Sequence, residues 1–81
     1  MDIQALTSAE AECLTEIMRV KKEKKYSPTH YELADTLNKS RWRITDILHS
    51  LIDKGYVNRE KGKARSEIVQ RDVEGNKIRP F

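Results

Sequence analysis

The chain has 81 residues, 37% of them hydrophobic and 36% charged, with a formal net charge of +3. That describes one small soluble domain with a compact core and a heavily charged exterior. The lone cysteine, Cys13, excludes an internal disulfide and a multi-cysteine zinc site, and no run approaches the roughly 20 apolar residues of a membrane helix.

The first residues, MDIQALTSAEAE, lack the basic and apolar blocks of a signal peptide, so a cytoplasmic location is expected. Thr7 and Glu10 have capping-box spacing and predict a helix start, with Leu6 placed as a hydrophobic staple. Leu14, Ile17 and Met18 continue at helical spacing, with Ala11 on the same face. The helix runs into Lys21, Lys22, Lys24 and Lys25, which read either as a solvated helix end complementing the dipole or as phosphate contacts. Ser27-Pro28 breaks the pattern, and Thr29 with Glu32 forms a second capping box. In the short second helix His30, Leu33, Ala34 and Leu37 make one buried stripe, so His30 has a plain reading at the edge of the core.

Asn38-Lys39-Ser40 is the turn: Asn tolerates left-handed geometry, and Ser40 is a good N-cap. A third helix follows from Arg41 to about Lys54, with Ile44, Ile47, Leu48 and Leu51 as its apolar stripe and Gly55 as its stop. Tyr56 to Arg59 and Glu67 to Gln70 are strand candidates around a loop with Gly62 near its tip. Residues 1–71 are thus read as one domain, and 72–81 as a C-terminal extension that is either an added strand or a tail. The expected fold class is mainly α with a small β-hairpin, a three-helix winged helix-turn-helix.

Charge is uneven: residues 1–40 carry a net of −1 and residues 41–81 a net of +4. The positive half holds the third helix and the wing, which points to duplex DNA as the partner. Helical rotation puts Trp42, Asp46, His49 and Asp53 opposite Ile44, flanked by Arg43, Thr45 and Ser50. A reading helix reaches base edges with its N-terminal part, so the base-contact candidates are Ser40, Trp42, Arg43, Thr45, Asp46 and His49. Arg43 suits guanine, Asp46 a cytosine amino group and Thr45 a thymine methyl; each also reads as an ordinary exposed helix residue. For Trp42 three readings stay open: DNA contact, packing within the chain, or a neighbouring subunit. The phosphate-contact candidates are Arg41, Thr29 and Tyr31 at the start of helix two, and Lys61, Lys63 and Arg65 in the basic wing 58–66. Lys54 and Arg59 add to the wing's charge, and its bland reading is a soluble charged hairpin.

LTSAEAECLTEI followed by SPTHYELADTL resembles the DNA-binding head of LexA-type repressors. SRWRITDILHSLIDKGYV followed by a basic hairpin resembles the MarR-type core. The resemblance covers about residues 6–71 and implies a winged-helix transcription regulator, with helix 41–54 in the major groove and the wing on the backbone. The turn Leu37–Ser40 is one residue shorter than is usual in the LexA type. The protease domain of LexA and the long terminal helices of MarR proteins have no counterpart here, so a stand-alone reading head is expected. A homodimer would need residues 1–6, helix one or the 72–81 segment as its surface. No catalytic constellation, cofactor motif, metal spacing or small-molecule site is evident, and an enzyme is not expected. The rival readings are a protein-docking winged helix and a replication or excision accessory factor of a mobile element.

Overall fold

The computed structural model describes residues 4–59 and 67–81. Three capping residues start its three helices. Thr7 Oγ1 accepts from the Glu10 N–H at 3.2 Å, while the Glu10 carboxylate accepts from the Thr7 N–H at 2.9 Å, and α1 spans Ser8–Lys24. Thr29 and Glu32 repeat this at 3.1 and 2.8 Å before α2, His30–Leu37. Ser40 Oγ accepts from the Arg43 N–H at 3.1 Å and opens α3, Arg41–Asp53. Each device satisfies an N–H group that has no acceptor within its own helix.

Left-handed residues end the helices: Lys25 (φ 65°) after α1, Asn38 (φ 55°) after α2 and Gly55 (φ 83°) after α3. Past α3, the Gly55 N–H bonds to Ile52 O and the Tyr56 N–H to Leu51 O, both at 3.0 Å. This is a Schellman closure, and the buried Tyr56 and Leu51 share the core beside it.

Strand β1, Val57–Arg59, pairs antiparallel with β2, Glu67–Val69. Val57 lies opposite Val69, Asn58 opposite Ile68 and Arg59 opposite Glu67. The pleat sends Val57 and Val69 inward, and by the same alternation Glu67 faces in and is buried. The segment left open between a strand and a tail folds back along the edge of β2 opposite β1. It turns at Asp72, whose Oδ1 accepts from the Glu74 and Asn76 N–H groups at 3.0 Å. Val69 and Phe81 then exchange backbone bonds at 2.7 and 3.2 Å, and Arg71 and Lys77 form an isolated bridge rather than a regular strand.

One cluster makes the core: Cys13, Leu14 and Ile17 of α1, Leu33 of α2, Ile44, Ile47, Leu48 and Leu51 of α3, and Tyr56, Val57 and Val69. The stripe expected on α3 is buried whole, whereas of the stripes expected on α1 and α2 only Leu14, Ile17 and Leu33 are buried: Met18, Ala34 and Leu37 pack half-buried against the cluster, and Cys13 takes a place in it. Three helices followed by a two-stranded hairpin, in this order, form a winged helix-turn-helix. Two lysines serve otherwise than the sequence suggests. Lys21 is no solvated helix end: its Nζ donates to Glu67 O at 2.7 Å and lies 5.7 Å from the Phe81 ring centroid. Lys54 does not add to the wing: its Nζ binds the buried Glu10 carboxylate at 2.6 Å. Tertiary partners, absent from any local pattern, drew both away.

Candidate nucleic-acid interface

Local sequence orients α3. Ile44, Ile47, Leu48 and Leu51 bury one stripe against α1 and α2, so the opposite stripe must face outward. Trp42, Arg43, Asp46 and His49 are all exposed there, Trp42 at 83%. That exposure removes the reading in which the indole packs within the chain. A fully buried aromatic ring contributes roughly 2–3 kcal/mol, so this ring forgoes most of that stabilisation.

The other two base-contact candidates are differently placed. Ser40 is exposed, but its oxygen is occupied in capping α3. Thr45 is half-buried, with Oγ1 3.5 Å from His30 Nδ1 on α2. His30 is itself half-buried, and its Nε2 is enclosed with no hydrogen-bond partner among the described residues. Burial lowers its pKa, opposed by the Glu67 charge and assisted by Arg59, His49 and Arg41.

Of the phosphate candidates, Arg41 lies over the Tyr31 ring at 4.2 Å from the centroid, a cation–π contact joining the first turns of α2 and α3. Both side chains remain exposed, Tyr31 at 66%. Nothing local marks this pair, which is ten residues apart in sequence; only the crossing of α2 and α3 brings it together. Thr29 has its oxygen engaged by the Glu32 N–H, and the Glu32 carboxylate already occupies that helix start, accepting from the Thr29 N–H. Lys61, Lys63 and Arg65 lie outside the described residues. At the base of the wing Arg59 Nε is 3.7 Å from Glu67 Oε2, while Glu67 Oε1 is buried without a hydrogen-bond partner among the described residues.

Two polar links missed by the sequence reading brace this face from behind. Glu10 of α1 accepts from Lys54 Nζ at 2.6 Å and from Ser50 Oγ, fixing the C-terminal end of α3. Ser27 Oγ, buried in the α1–α2 connection, donates to Glu67 O at 2.7 Å, fixing the wing strand. The partners are 44 and 40 residues apart for Lys54 and Ser27, beyond the reach of any spacing rule. Cys13 is buried, and burial followed by the Glu67 and Glu16 charges pushes its thiol up to about 12, so it is a poor nucleophile. Among the described residues no group of three His, Cys, Asp or Glu could hold a metal ion, and no helix is long and apolar enough to cross a membrane.

Comparison with known proteins agrees with this geometry. The chain is 36% identical over 73 residues to the LexA repressor of Oleidesulfovibrio alaskensis (strain ATCC BAA-1058 / DSM 17464 / G20), covering 90% of this chain and 35% of the repressor. It therefore spans about a third of that relative's length. Residues 4–74, which contain all three helices and the hairpin, match the DnaD N-terminal domain model. The chain belongs to the DnaD N-terminal domain family and has the winged-helix architecture of a LexA-like head.

Proposed function

We propose that this chain binds duplex DNA and acts in transcription regulation, with α3 in the major groove and the wing on the backbone. The observation that carries this reading is the likeness to a LexA repressor along 90% of the chain, since that relative is a repressor. The fold supports it. The N-terminal half of α3 presents Trp42, Arg43 and Asp46 away from the core, beside an exposed Arg41 that lies over the Tyr31 ring. Arg43 is the base-reading candidate for guanine, and Asp46 for a cytosine amino group. Arg41, Lys61, Lys63 and Arg65 are the phosphate candidates. Occupancy of a promoter by the bound protein would be the regulatory act, and a pair of copies on a two-fold site is the assembly in keeping with helix-turn-helix proteins.

Fluorescence anisotropy with labelled duplexes tests the reading. Neutralising roughly 4–6 phosphates gives a log–log salt slope of about −4 to −5. Selection from a random duplex library then shows whether a motif exists and whether it is palindromic. Absence of binding at ~50 mM salt overturns the DNA reading. One observation favours a protein-docking role instead: Asp46 and Asp53 share the outward stripe of α3 with Trp42, and phosphates repel carboxylates. Failure to bind any duplex at low salt is the outcome that role predicts.

A further inference from the structure

This inference rests on the DNA reading and names what one residue of that face recognises. Of the six side chains placed at base edges, Ser40 is engaged in its cap and Thr45 is drawn back against His30. Trp42, Arg43, Asp46 and His49 remain exposed. Arg43, Asp46 and His49 carry groups that match hydrogen-bond donors and acceptors of base edges. Trp42 does not match in that way. Its one polar atom is the indole N–H, and the rest of the ring is apolar surface.

Its position is informative. Trp42 is the second residue of α3, at the end of a reading helix that enters the groove, and on the face opposite the buried Ile44. It is the most exposed large hydrophobic residue among those described. The neighbouring cation, Arg41, is occupied on Tyr31 and leaves the indole uncovered by it. In the major groove a base pair offers one apolar group, the C5-methyl of thymine. Thr45, the residue whose type first suggested that contact, is half-buried and turned toward α2.

We propose that Trp42 selects thymine at one position of the bound site by burying its C5-methyl against the indole in the major groove. What is recognised is the methyl group and not the base's hydrogen-bonding edge. Uracil, which pairs as thymine does but lacks the methyl, is therefore discriminated against. At a C·G pair in the same position, 5-methylcytosine regains what cytosine lacks.

The test uses the 81-residue chain and the duplex it selects from a random library. Each thymine is replaced by uracil in turn, and Kd is measured by anisotropy for the wild type and for Trp42→Ala. Burial of one methyl is about 0.8 kcal/mol, so uracil at one position weakens wild-type binding about 4-fold. Trp42→Ala binds the thymine and uracil duplexes alike, and Trp42→Phe, which keeps an aromatic face, retains part of the difference. Far-UV circular dichroism checks that the variants are folded. The proposal is overturned if no uracil position affects the wild type, or if the uracil penalty persists in Trp42→Ala. Either result with sequence-selective binding intact leaves the DNA reading standing and removes only the role of Trp42. Failure to bind any duplex at low salt removes both.

Discussion

Glu10→Ala probes how α3 is held in place. The carboxylate is buried between the start of α1 and the end of α3. Oε1 accepts from Lys54 Nζ at 2.6 Å and from the Thr7 N–H at 2.9 Å, and Oε2 accepts from Ser50 Oγ. The substitution removes all three bonds and strands Lys54, whose side chain is only 15% exposed. Breaking a fully buried pair costs about 3–5 kcal/mol. Lys54 keeps a bond to Ala5 O at 3.1 Å, so a loss of about 2–3 kcal/mol is expected. In a domain of this size that lowers Tm by roughly 10–20 °C. The acid limb supplies an independent check. Burial by itself raises the Glu10 pKa, but the bonds from Lys54, Ser50 and Thr7 and the Lys54 charge outweigh it, bringing it from 4.5 to about 2. The folded value lies below the unfolded one, so this stabilisation is fully present above 4.5 and is lost as pH falls toward 2. Urea denaturation at neutral pH and across that acid range, on wild type, Glu10→Ala and Glu10→Gln, measures both effects. A loss under about 0.5 kcal/mol for Glu10→Ala at neutral pH would refute the reasoning. So would an acid-dependent loss in Glu10→Gln equal to that of wild type.

Trp42→Ala should change stability by less than about 0.5 kcal/mol, because the ring covers little of the core, and the free wild type should emit as a solvent-exposed indole; a large destabilisation or a blue emission contradicts its placement. Arg43→Ala should relax preference at one base position at a cost of roughly 1–3 kcal/mol, whereas Lys63→Ala should weaken all sequences alike and flatten the salt slope by about 1. Equal, sequence-independent effects of the two would misplace Arg43. Burial lowers the His30 pKa below its ordinary 6.5, so the unfolded chain binds the extra proton first. Stability should therefore begin to decline as pH falls below 6.5, at higher pH than the loss from Glu10 begins, and His30→Gln should flatten that decline in denaturation curves.

The helices were legible in the chain because each is punctuated by hydrogen bonds that span only a few residues. Thr7 with Glu10, Thr29 with Glu32, Ser40 with Arg43, Asn38 at the turn and Gly55 at the stop all act within one helical turn of their own position. The buried stripes were legible for a related reason: helical rotation repeats faster than the helices end, so Ile44, Ile47, Leu48 and Leu51 declare one face without reference to a partner. The outward place of Trp42 follows from the same rotation.

Folding decided which polar groups on those faces were used by the protein itself. Spacing along the chain does not say that Glu10 meets Lys54 and Ser50, that Lys21 and Ser27 converge on Glu67 O, or that Val69 pairs with Phe81. These contacts depend on how the helices cross and on which edge of β2 is left after β1 has paired. The same crossing turns Thr45 toward His30 and brings Arg41 onto Tyr31, while leaving Trp42 exposed. Caps and stripes belong to the sequence by itself because their partners lie within a turn. The identity of the side chains left free for a ligand belongs to the tertiary structure, because it is what remains after long-range partners have been chosen.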